Sequence, residues 1–71
     1  MVDREEFLVE SILKHRGDSK RKTSLEFLVK WLGYSDEENT WEPYNNLKDN
    51  SVLHDYLRKN KLEKLIPASH Q

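Results

Sequence analysis

Residues 25–31, Leu25-Glu26-Phe27-Leu28-Val29-Lys30-Trp31, alternate along their length and run straight into Leu32-Gly33-Tyr34. One parity (Leu25, Phe27, Val29, Trp31) is wholly apolar, and the other holds Glu26, Leu28 and Lys30. A period of two belongs to a strand with one buried face, not to a helix. Leu28 on the polar parity predicts a curved sheet that buries part of both faces. Gly33 then permits a turn that a side chain would strain. Upstream, residues 7–13 mix Phe, Leu, Val and Ile with few breakers and predict a first strand. Gly17-Asp18-Ser19 through Thr23-Ser24 is turn chemistry, so a long hairpin loop joins the two. Residues 39–42 make a short third strand that Pro43 ends.

Beyond Pro43 the period changes. Val52, Leu53, Tyr56 and Leu57 recur at helical spacing, with Asn50 or Ser51 placed to cap the N-terminus and the end near Asn60. The fold class is therefore α+β: a small three-stranded antiparallel curved sheet packed against one C-terminal α-helix. Trp41, Leu53, Tyr56 and Leu57, with Leu28 and Ile12, are the predicted centre of the core. Seventy-one residues allow one small domain, and a chain of that size hides only about 60% of its unfolded surface. Residues 1–4 read as a flexible N-terminal segment, 5–66 as the domain and 67–71 as a disordered tail.

Several functions fall away on composition. Twelve basic and thirteen acidic side chains leave the chain nearly neutral, without the global positive field of a dedicated nucleic-acid binder. The absence of cysteine excludes disulfide staples and thiolate zinc sites, and suits a reducing interior such as the nucleus. No apolar run approaches the ~18 residues of a membrane span, so no membrane association is predicted. His15, His54 and His70 lie far apart, without metal-ligand spacing, and no metal or other cofactor is predicted. Ser51, His54 and Asp55 share one helix, where adjacent side chains point apart and cannot form a nucleophile–base–orienter chain. Arg16-Gly17-Asp18 reads as a turn. The chain is predicted to be a non-enzyme.

What remains is the aromatic turn. Trp31 and Tyr34 straddle Gly33, with Asp36, Glu37 and Glu38 just beyond. Any one large aromatic near a turn is ordinarily core. Two of them beside a carboxylate run suit a pocket for a soft organic cation, because ring faces attract a cation stripped of its water. A quaternary ammonium has no proton to donate, so hydrogen bonds cannot hold it.

The strings Glu6-Phe7-Leu8-Val9-Glu10-Ser11-Ile12-Leu13, Glu26-Phe27-Leu28-Val29-Lys30-Trp31-Leu32-Gly33-Tyr34, Glu38-Asn39-Thr40-Trp41-Glu42-Pro43 and Asn45-Asn46-Leu47 resemble, in that order, the chromodomain signature. The endings Asn46-Leu47-Lys48-Asp49-Asn50, Leu53-His54-Asp55-Tyr56-Leu57 and Leu62-Glu63-Lys64-Leu65-Ile66-Pro67 are similar to the C-terminal chromodomains of gypsy-class retroelement integrases. The front blocks are also similar to heterochromatin-protein chromodomains.

The resemblance implies a reader of methylated lysine on a histone tail. Its cage would be Phe7, Trp31 and Tyr34, with Glu38 as the acidic member and Phe7 in place of the more usual tyrosine. The tail would add as a strand between two segments. Glu6, Leu8 and Val9 would supply one edge, Glu42 and Asn46 would take polar groups, and Lys48, Asp49 and Asn50 would supply the second edge. It also implies that Trp41 packs under the helix, a nuclear location and a monomer. Leu32 departs from the pattern, since readers usually carry lysine there, and the first hairpin is long. The alternative is an integrase-associated targeting module that contacts DNA, RNA or protein without methyl recognition. Lys14, His15, Arg16, Lys20, Arg21 and Lys22 form the basic cluster such contact would use, with Lys20, Arg21 and Lys22 at its centre. No aromatic is interleaved there, so base stacking is not supported. A dimerising shadow-type chromodomain is disfavoured, because shadow domains do not keep the cage.

Overall fold

The structure, a computed structural model, describes residues 8–70. Three strands, β1 (Val9–Arg16), β2 (Glu26–Trp31) and β3 (Thr40–Pro43), form one antiparallel sheet in the order β1-β2-β3. Two helices follow, a single turn α1 (Tyr44–Leu47) and the longer α2 (Ser51–Lys59). The α+β class predicted from the alternating and helical periods is the one observed. Glu6 and Phe7, along with the N-terminal segment, lie outside the described residues.

The alternation of residues 25–31 sets the two faces. Leu25, Phe27, Val29 and Trp31 are all buried on the inner face. There they meet Leu53 and Leu57 of α2, with Ile12, Tyr44, Leu47, Leu65 and Ile66 completing the core. The Phe27 and Tyr56 rings cross edge-on with centroids 6.2 Å apart, a favoured aromatic geometry. Irregular pairing between Val9 and Ser11, and again between Ile12 and Lys14, bends β1. Such bulges increase strand twist and let a small sheet wrap its helix.

Each end of α2 closes with a defined cap. Asn50 Oδ1 accepts from the Val52 N–H at 2.8 Å, as an N-cap should. At the C-terminus the Leu62 N–H reaches the Leu57 carbonyl at 2.7 Å and the Lys61 N–H reaches the Arg58 carbonyl at 3.2 Å. That pair of bonds is a Schellman motif. Its left-handed residue is Lys61, at φ 59°, where glycine is usual.

Two predicted placements are corrected. Leu28 pairs with Trp41 while Phe27 pairs with Glu42, so Trp41 and Leu28 share the outer face, away from α2. Both are only partly buried. A strand of four residues is too short for its parity to be read in isolation. At the C-terminal end the chain returns to the domain. The Tyr44 hydroxyl donates to the Leu65 carbonyl at 2.6 Å, and Ala68–His70 forms a single 3-10 turn that brings His70 Nε2 within 2.9 Å of Asp49 Oδ1.

Candidate functional site

The chain reverses at the end of β2 in a turn whose Tyr34 N–H bonds the Trp31 carbonyl at 3.1 Å. Gly33 occupies its third position at φ 84°, the left-handed value a type II turn demands there. A Cβ on Gly33 would meet nothing within 4 Å, so dihedral preference alone, and not crowding, calls for glycine. The ammonium of Lys30 sits inside the turn. It donates to the Trp31 carbonyl at 3.0 Å, to the Tyr34 carbonyl and to Glu10 Oε1 at 3.2 Å. One cation thus ties both ends of the aromatic turn to β1.

A second set of bonds fixes Trp31 from the other side. Its indole N–H donates to Thr40 Oγ1 at 2.9 Å. An indole N–H can only donate, so the Thr40 hydroxyl accepts it and turns its own proton to Glu42 Oε2 at 2.8 Å. The other carboxylate oxygen of Glu42 accepts from Asn46 Nδ2 at 3.2 Å. The relay Trp31–Thr40–Glu42–Asn46 crosses from β2 through β3 into α1. Thr40 and Glu42 fall on one parity of β3, and that alternation is what lets both reach the same side.

Of the predicted cage residues, Trp31 and Tyr34 are brought together by the turn, and Phe7 lies outside the described residues. Trp31 is 6% exposed and so is a core residue as well, whereas Tyr34 is 42% exposed and offers the accessible ring. Glu38 is exposed in the 3-10 turn Asp36–Glu38 that follows. Its neighbour Asn39 carries the one buried side-chain polar atom among the described residues without a hydrogen-bond partner, Oδ1. Leu8 and Leu32 are exposed and joined by a backbone bond of 2.8 Å, which sets two apolar side chains at the aromatic turn. Val9 is partly buried and pairs with Trp31.

The proposed second edge differs from an extended segment. Lys48 is helical in its dihedrals and its carbonyl accepts from His54 Nε2 at 2.7 Å. The Asn50 N–H bonds the Leu47 carbonyl and its own carbonyl accepts from the His54 N–H. Lys48, Asp49 and Asn50 thus form a turn fastened to buried His54, with Asp49 held to His70. Thr40, Lys30 and His54 escaped the sequence reading. Each acts through register or a carbonyl partner, and no local motif announces that.

The basic cluster is divided by the sheet. His15 points inward, its Nδ1 2.7 Å from the Tyr56 hydroxyl. Lys14 and Arg16 lie on the outer face, while Lys20, Arg21 and Lys22 are exposed on the hairpin loop. The loop is closed by Gly17, where a Cβ would stand 2.2 Å from the Ser24 carbonyl oxygen. An aromatic does interleave the cluster in space: the Arg16 guanidinium carbon lies 4.1 Å above the Trp41 ring and the Lys14 ammonium 5.8 Å. Burial pushes the hydroxyls of Tyr44 and Tyr56 above the ordinary tyrosine value, and the charge of Asp49 adds to the shift at Tyr44. Among the described residues no cluster of His, Asp and Glu has the form of a metal site.

Comparisons with known proteins agree with this geometry. The family model described as the Chromo (CHRromatin Organisation MOdifier) domain matches residues 7–59. The chain is 40% identical over 66 residues to heterochromatin protein 1 of Drosophila melanogaster, a match covering 93% of this chain and 31% of that protein. It is 49% identical over 43 residues to chromatin-associated protein SWI6 of Cryptococcus neoformans var. grubii, covering 61% of this chain and 18% of the relative. It is also 35% identical over 68 residues to DNA (cytosine-5)-methyltransferase 3 of Zea mays, covering 93% of this chain. That last match spans 7% of the methyltransferase, so the catalytic name does not transfer. The chain spans between 7% and 31% of the length of these relatives.

Proposed function

The chain belongs to the chromo domain family, and on that premise we propose that it is a non-catalytic chromatin-binding module that reads a methylated lysine on a histone tail. The observation that carries this is the immobilised aromatic turn. The Thr40–Glu42–Asn46 relay fixes the Trp31 indole and Lys30 fixes the turn backbone at Trp31 and Tyr34, so binding has little of the turn left to order. Tyr34 supplies an accessible ring face, Trp31 the wall behind it, and Glu38 a carboxylate near the cation; Phe7 is proposed as the third ring. Leu8 and Leu32 offer apolar contact to the chain that carries the lysine, which would add as a strand beside Glu6, Leu8 and Val9. Glu42, Asn46 and the turn at Lys48, Asp49 and Asn50 would meet its other side. The module would act in the nucleus as a monomer, bringing the protein that contains it to heterochromatin. A retroelement integrase as that protein rests on residues 46–50, 53–57 and 62–67 alone.

The test is a titration of histone-tail peptides carrying trimethyl-lysine, unmodified lysine and a neutral tert-butyl isostere. Cation–π attraction at a desolvated site is worth about 2 kcal/mol, or roughly thirtyfold in affinity. The charged peptide should lead the isostere by about that factor. Tyr34→Ala should remove most of the lead while leaving the fold intact, since Tyr34 is exposed. Glu38→Gln should cost less, because an exposed charge is screened. Equal binding of the isostere would leave a merely apolar pocket and end the reader assignment.

A further inference from the structure

The outer face of the sheet carries a constellation that the reading of methylated lysine does not use, and it joins part of the basic cluster to an aromatic ring that the sequence did not place there. Lys14, Leu28 and Trp41 lie side by side across β1, β2 and β3, and Arg16, Glu26 and Pro43 form the next row. Arg16 covers the Trp41 ring with its guanidinium carbon 4.1 Å from the centroid, and its Nε donates to Glu26 Oε1 at 2.7 Å. Its side chain is still 55% exposed. Lys22 reaches back from the hairpin loop to 5.9 Å from the Tyr44 ring. Two cations, Lys14 and Arg16, lie on the strip itself, and the exposed hairpin loop that leads on from β1 adds Lys20, Arg21 and Lys22, five cations against two carboxylates, Asp18 and Glu26. Among the described residues only Arg16 of the five is in an ion pair.

We infer that this face docks single-stranded nucleic acid, with Arg16 stacked on Trp41 as the anchor and Lys14 and the hairpin cations along the phosphates. A single strand needs a stacking surface and a line of positive charge. Trp41 and Leu28 provide the first, and the five cations the second. A guanidinium held over an indole can take a base on its own planar face and a phosphate at its edge. Duplex recognition in the major groove calls for a projecting helix or a β-ribbon. Here α2 packs on the opposite face, and among the described residues no helix stands out from the outer face. The aromatic turn lies at the other end of β2, and Thr40 and Glu42 of its relay alternate with Trp41 on the opposite face of β3, so a histone tail and a nucleic acid would occupy separate surfaces.

The experiment uses labelled single-stranded DNA and RNA of about twelve pyrimidines, the corresponding duplex, and the methylated peptide as a control. Both single strands should bind at low salt more tightly than the duplex, and the indole N–H resonance of Trp41 should shift. Lys14→Ala combined with Arg16→Ala, both exposed and dispensable to the core, should weaken binding about tenfold or more and lower the slope of log K against log salt by roughly 1.4, two phosphate contacts' worth. Trp41→Phe, which keeps a ring on a folded sheet, should weaken it less. Peptide affinity should be unchanged in both variants. The inference is overturned if neither single strand binds, if the duplex is preferred, or if the Lys14/Arg16 variant binds as the wild type does. A failure of the methyl-lysine proposal would leave these outcomes unaffected.

Discussion

Thr40→Val tests whether the relay behind the aromatic turn is an energetic link or only a geometric one. Valine keeps the β-branched shape that suits β3 but has no hydroxyl. The buried Trp31 N–H then loses the acceptor it holds at 2.9 Å, and Glu42 loses a donor at 2.8 Å. An unsatisfied buried donor costs about 1–3 kcal/mol, and a lost bond to a half-buried carboxylate about 1 kcal/mol more. Against a total stability of roughly 4–10 kcal/mol for a domain of this size, that is a large fraction. Trp31→Phe removes the donor itself, so Thr40→Val in that background should cost only the Glu42 part, about 1 kcal/mol. The double-mutant cycle cancels the volume lost with the indole. Urea unfolding of the four proteins should give a coupling of about 1–3 kcal/mol. A coupling within about 0.5 kcal/mol of zero would mean that the indole and the hydroxyl are neighbours and not partners.

Trp31→Ala should cost about 3–5 kcal/mol, as for a buried ring. Trp41→Ala, on the outer face, should cost roughly 1–2 kcal/mol from partial burial and an exposed cation–π contact; denaturation midpoints in the reverse order would place Trp41 under the helix after all. Lys61→Gly should stabilise the domain by about 1 kcal/mol, because lysine is strained at φ 59° while the Schellman bonds need that conformation; a lower melting temperature would refute it. The raised hydroxyls of Tyr44 and Tyr56 make the folded chain hold these protons more tightly than the unfolded one. Their stabilisation is thus complete below the ordinary value of 10.0 and lost as pH rises through it toward the raised values. Urea midpoints should fall above about pH 10 and fall less in Tyr44→Phe.

The features legible in advance were those that repeat or that need one residue type. Residues 25–31 show period two often enough to assign every face, and Gly33 marks a left-handed position that few residues tolerate. Asn50 ahead of Val52 and Leu53 announced the start of α2. The misreadings share a cause. β3 is four residues long, so Trp41 had no neighbours to vote on its face, and the register with Leu28 was needed to place it. Leu65 and Ile66 enter the core from a segment without periodicity, drawn in by the Tyr44 hydroxyl bond rather than by any helical or strand pattern. The site divides along the same line. The Trp31–Tyr34 turn is local and could be named from sequence, while its supports, Thr40, Glu42 and the Lys30 ammonium, depend on pairings that only the folded sheet makes.

The relay also bears on how a tail would gain affinity. Glu42 and Asn46 were assigned to the ligand's polar groups, yet each already satisfies the other at 3.2 Å, and Glu42 further serves Thr40. A peptide amide that bonds either one exchanges partners more than it adds a bond, and an exchange of that kind nets little free energy. The Lys48 and Asn50 carbonyls are likewise engaged, by the His54 side chain and backbone respectively. On the second edge a tail therefore meets groups that each already hold a partner, and it gains less there than from groups left free. Most of the binding energy must then come from the cation at the aromatic turn and from strand addition along β1. For that reason the charged and neutral lysine isosteres should differ more in affinity than wild-type protein and Asn46→Ala do on one peptide.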